Sequence, residues 1–146
     1  MKTDNERFVV YIEQEEPAQI EFVELILKRT LARRGFGMLI AESSSDGLDL
    51  IRRYNPDLVL VGVATDSRWS LEHCEPLVRL KADDELQLLP VIAVAARRQS
   101  FDTIIGPDTW SPPRGSHWTD DVIVAWGPRE LVAAVNTVLE EIGARR

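Results

Sequence analysis

The sequence lacks the devices that hold a small secreted or metal-dependent domain together. One cysteine, Cys74, leaves no partner for an internal disulfide, and two histidines far apart, His73 and His117, build no zinc site without carboxylate help. Long apolar stretches are missing too: nowhere do about eighteen apolar residues run together, as a membrane-spanning helix requires. Lys2 and the acidic residues among the first fifteen positions are unlike a secretory leader, so the expectation is a cytoplasmic protein with no membrane association. Positive charge is scarce, with 17 Lys and Arg against 24 Asp and Glu, a formal net charge of -7. That sign argues against nucleic acid, whose binding draws on phosphate neutralisation. The pairs Arg33-Arg34, Arg52-Arg53 and Arg97-Arg98 read as solvated helix ends beside acidic neighbours. No glycine-rich phosphate loop follows the first apolar run, and no nucleophile, base and orienter stand at credible spacing. The expectation is a protein that is no enzyme and carries no cofactor.

What is present is ordinary globular material. The 146 residues are 45% hydrophobic and 28% charged, which suits a single domain over residues 1–146. Short apolar runs at 8–13, 38–41, 57–63, 90–95 and 121–126 read as strands covered on both faces. Between them the apolar spacing changes to three and four. Ile20, Val23, Leu27 and Leu31 form a helix stripe that opens near Pro17 and closes at Gly35. Ser43 or Ser44 caps a helix bearing Leu48, Ile51 and Tyr54, which Asn55-Pro56 ends. Leu71, Cys74, Leu77 and Leu80 mark a third helix reaching about Asp83, and Leu131, Val135, Val138 or Leu139, and Ile142 a last one after Gly127-Pro128. Strands alternating with helices predict an α/β fold: a doubly wound, flavodoxin-like parallel sheet of five strands with helices on both faces. One segment breaks the rhythm. Gly106, Pro107, Pro112-Pro113 and Gly115 forbid a full helix between the fourth and fifth strands, so Arg97–Ile105 is expected as a short helix and Gly106–Thr119 as a long loop.

Four phrases in fixed order carry a resemblance. Glu15-Glu16-Pro17 follows the first strand, Pro56-Asp57-Leu58-Val59-Leu60 enters the third, Leu80-Lys81-Ala82-Asp83-Asp84-Glu85-Leu86 precedes Pro90-Val91-Ile92, and Pro128-Arg129-Glu130-Leu131 opens the last helix. The chain resembles the receiver domain of two-component response regulators over essentially its whole length. In that family a carboxylate ending the third strand accepts a phosphoryl group beside a divalent ion held by two acidic residues, with a hydroxyl residue and a lysine neutralising charge. Carried over, the acidic pair falls on Gln14 and Glu15, the acceptor on Gly62, the hydroxyl on Ala95 and the lysine on Val124. Gly62 has no side chain to phosphorylate and Val124 no charge. The family's switch aromatic becomes Asp121, and its Lys-Pro peptide becomes Val124-Ala125, where a cis bond would cost about 3 kcal/mol. The resemblance therefore implies a degenerate, or pseudo-receiver, domain.

Glu13 to Glu16 form the strongest carboxylate cluster, yet a hard-metal site needs several converging oxygens and only Glu15 is well placed, with Asp66 approaching from the loop after Gly62, so the expectation is a solvated acidic helix start. Asp66 as an acceptor lies too far beyond the strand end. Cys74 falls on an inner helical stripe, as a buried thiol does, and His73 points about 100° away from it. The fourth-helix region, shortened or replaced by loop, carries Arg97, Arg98, Trp110, Pro112, Pro113, Arg114 and Trp118, with Trp126 after the fifth strand. In receivers the fourth helix, fifth strand and fifth helix form the docking and dimerising face, and Trp and Arg are enriched in binding hot spots. The resulting expectation is a phosphorylation-independent signalling and protein-interaction module, with a protein partner or homodimer on that face. The alternative is a small-ligand sensor using the apolar remnant of the pocket.

Overall fold

The computed structural model describes residues 7–14, 17–63, 75–95, 122–125 and 128–144. In chain order they form β1 (Arg7–Ile12), α1 (Gln19–Arg33), β2 (Phe36–Ala41), α2 (Ser44–Tyr54), β3 (Leu58–Val63), α3 (Glu75–Ala82), β4 (Val91–Ala95), β5 (Val122–Ala125) and α4 (Pro128–Ala144). The expected short fourth helix and loop, with Asp66, Cys74 and both histidines, lie outside the described residues.

The strands make one parallel sheet in the order β2-β1-β3-β4-β5. Because β2 and β3 flank β1 on opposite sides, the chain changes winding direction between β1 and β3, where sheets of this kind open a crevice at their carboxyl edge. Leu58–Val63 is buried along its whole length, as its unbroken apolar run predicts for a central parallel strand. Alternate residues feed two cores. Val10, Ile12, Val59 and Val61 pack with Leu48 and Ile51 of α2 and Leu77 and Leu80 of α3. Val9, Tyr11, Leu58 and Leu60 pack with Val23, Leu27 and Leu31 of α1 and Leu131, Val135 and Leu139 of α4.

Local chemistry sets the element ends. The Ser43 side chain accepts from the Asp46 N–H at 3.1 Å and caps α2. Asn55, at φ 49°, takes the left-handed turn that ends α2, its N–H bonding the Ile51 carbonyl at 2.9 Å. Pro17 lies in the turn before α1, where its carbonyl accepts from the Ile20 N–H at 3.1 Å, so that the helix begins at Gln19. Arg52 meets Asp83 at 2.7 Å and ties the end of α2 to the end of α3.

Candidate functional site: the carboxyl edge of the sheet

The last paired residues of β1 and β3 are Ile12 and Val61, so Glu13 and Gly62 come next on the two strands. The Glu13 N–H donates to the Ala41 carbonyl of β2 at 2.9 Å, which continues the extended path one residue past the strand. Side chains on that path alternate, and Glu13 follows Val9 and Tyr11 toward the α1 and α4 side. It is fully buried, at 0% exposure. This corrects the expectation of a solvated acidic helix start for this residue: strand alternation turns it inward before the helix begins.

Within that interior the Tyr11 hydroxyl donates to Glu13 Oε1 at 2.5 Å, a short charge-assisted bond two residues back along the same face. Burial, then the neighbouring carboxylate, drive the Tyr11 phenol well above its ordinary value, so the hydroxyl stays a donor. The Glu13 carboxyl group lies over Gly62, and a Cβ built on Gly62 would overlap all three of its carboxyl atoms. Residue 62 is glycine where a carboxylate from the adjacent strand fills the space of its side chain.

Gln14 leaves the strand on the other side. Its Oε1 accepts from the Ser44 N–H at 2.9 Å, at the start of α2, and its Nε2 donates to Glu75 Oε1 at 3.4 Å, at the start of α3. The Ser44 hydroxyl donates to the same Glu75 oxygen at 2.7 Å and accepts from Arg79 Nη1 at 3.1 Å. These bonds, the Ser44 hydroxyl first and the Gln14 amide second, hold the Glu75 carboxyl below its ordinary value. The amide at a position where the resemblance puts a metal-binding acid thus brackets β1, α2 and α3 together.

Of the pocket positions read from the sequence, Gln14 and Gly62 sit at this edge, on β1's exit and in β3. The backbone of Ala95 ends β4 opposite Val63, and that of Val124 lies in β5 opposite Ala93. Glu15, Arg97, Arg98, Trp110, Arg114, Trp118 and Trp126 lie outside the described residues. Glu13 is the residue that carry-over by sequence passed by. The period-two series Val9, Tyr11, Glu13 was the signal for it. Among the described residues no three metal-ligating side chains converge, and no helix is long and apolar enough to cross a membrane.

Solved structures share this architecture. A candidate response regulator from Chloroflexus aurantiacus superposes with a TM-score of 0.57 at 18% identity, covering 92% of this chain and 98% of its own. The fold is that of a response-regulator receiver. The anti-anti-sigma factor PhyR from Bartonella quintana gives a TM-score of 0.56 at 16% identity, over 96% of this chain and 51% of its own. In sequence, the transcriptional regulatory protein AfsQ1 from Streptomyces coelicolor is 31% identical over 84 residues, 58% of this chain. The match spans 35% of AfsQ1, about a third of that protein. No family model matches the chain.

Proposed function

We propose that this receiver-like chain is a non-enzymatic signalling module that works by protein contact and without accepting a phosphoryl group. The observation that carries this reading is the Glu13 carboxyl over Gly62: the position of an acceptor side chain is taken by a buried group already bonded to Tyr11. A phosphodonor needs an exposed carboxylate in line with the leaving group, and a fully buried one offers no such approach. The same occupancy weighs against a small ligand above Gly62. For a protein partner the support lies in the sequence, in the Trp- and Arg-rich stretch of Arg97, Arg98, Trp110, Arg114 and Trp118, and in relatives whose own names describe transcriptional and sigma-factor regulation.

Intact-protein mass spectrometry after incubation with acetyl phosphate and magnesium tests the reading. The expected spectrum shows unmodified chain. A stoichiometric phosphoryl adduct on a carboxylate would overturn it.

A further inference from the structure

The outward side of α1 is patterned as carefully as its inward side. At about 100° per residue, Ala18, Glu21, Phe22, Leu25, Lys28, Arg29 and Ala32 all fall within about 60° of Leu25 around the helix axis. Each is exposed, Leu25 at 73% and Phe22 at 53%. A leucine and a phenylalanine exposed to this degree, on a helix whose other side already packs on the sheet, form an apolar centre that none of the described residues buries. Charge flanks that centre in a definite order. Three residues from Leu25 in either direction stand Phe22 and Lys28, four residues away Glu21 and Arg29, and seven away the small Ala18 and Ala32. The stripe is acidic toward one end and basic toward the other, balanced on a single leucine. A surface that meets its own copy across a two-fold axis needs this property, since every position must complement its image.

We propose that α1 packs antiparallel against α1 of a second copy of this chain, about a two-fold axis at Leu25. Glu21 and Lys28 lie to one side of Leu25 on the helix surface, Phe22 and Arg29 to the other. The two-fold operation reverses the helix direction and keeps the sides. Glu21 therefore meets Lys28 of the second copy, and Phe22 meets the guanidinium of Arg29 of the second copy, each contact made twice. Leu25 lies against Leu25 at the axis, and Ala18 faces Ala32 at the ends, about 21 Å apart along each helix. Among the described residues the ion pairs are Arg34–Glu140 and Arg52–Asp83, so none uses Glu21, Lys28 or Arg29. On the Glu21 side, a groove of about 520 Å³ between α1 and β2, lined by Glu21, Glu24, Leu25, Lys28, Ala32 and Met38 among others, leaves room for the incoming lysine between two carboxylates. One helix pair is a small interface, so the dimer is weak and depends on concentration. The β2 strand that α1 flanks lies at the opposite edge of the sheet from β5.

Sedimentation velocity on the full chain, from micromolar to near-millimolar concentration, tests the proposal. The weight-average mass is expected to climb from 16.5 kDa toward twice that value. Leu25→Glu, which brings two carboxylates together at the axis, should hold the chain monomeric throughout with an unchanged circular dichroism spectrum. Glu21→Lys and Lys28→Glu should each weaken association at least tenfold, and the double reversal should restore it. A wild-type chain that stays monomeric, a Leu25→Glu variant that associates like wild type, or a double reversal that fails to recover would each overturn the proposal.

Discussion

Glu13 and Gln14 are neighbours in the chain and enter two different solvents. Glu13 turns into the core beside α1 and α4, where Tyr11 is its hydrogen-bond donor and the bare backbone of Gly62 gives it space. Gln14 turns toward the starts of α2 and α3 and joins a network with Ser44, Glu75 and Arg79 that water can reach. The difference teaches how one strand end supports polar groups of unequal consequence. In the interior a lost partner leaves a desolvated group behind; at the rim water replaces the partner, and the net loss is small.

The comparison breaks most severely at Gly62. Gly62→Asp forces a second carboxyl group into the space Glu13 occupies, and two carboxylates in a dry site cannot both stay ionised. Urea unfolding should show a loss of about 3–5 kcal/mol. Adding Glu13→Ala to that variant should recover much of it, which separates a filled space from a generally fragile strand. Tyr11→Phe keeps the ring and removes the donor. The expected cost is about 1–3 kcal/mol in the same measurement, because a buried acceptor loses its bond.

Alkali sharpens the same side. The folded state holds the Tyr11 phenol protonated far above its ordinary 10.0, so above about pH 10 the unfolded chain loses a proton that the native state keeps. Stability should therefore fall as pH rises past 10, by up to about 1.4 kcal/mol per pH unit, and Tyr11→Phe should flatten that limb. At the rim, Gln14→Ala should cost about 0.5–1.5 kcal/mol, well below the Gly62 effect. The smallest effect belongs to Glu75. Its carboxyl is held below the ordinary 4.5, so the stability it lends is present above that pH and fades as pH falls through the lower folded value. Glu75→Gln should remove this part of the acid limb in a pH series of melting temperatures by lowering the neutral-pH melting temperature slightly toward the acid value.

Much of this architecture was legible in the sequence, for stated physical reasons. A run such as Leu58–Val63 has no polar face, which a parallel strand covered on both sides permits, and the stripe Val23, Leu27, Leu31 could pack in one way only. The site was less legible. Four acidic or amide residues in a row, Glu13 to Glu16, look solvated as a group, and the strand's alternation, which separates the first from the second, weighs little against that impression. Carry-over from the receiver pattern put the acidic pair on Gln14 and Glu15, whereas the carboxyl group at Gly62 belongs to Glu13. Gln14 finds its partners 30 and 61 positions away, in Ser44 and Glu75, and no local pattern encodes such a meeting.

The overlap at Gly62 also sets the order in which this sequence can change. A side chain cannot be added at residue 62 while Glu13 fills its place, whereas shortening Glu13 first leaves an empty space of a few atoms and takes the Glu13 acceptor from the Tyr11 hydroxyl, the smaller cost of the two. Any mutational route that places a carboxylate at residue 62 thus runs through residue 13 first. The reverse order passes through the less stable of the two intermediates, so the paired positions fix the sequence in which they can change.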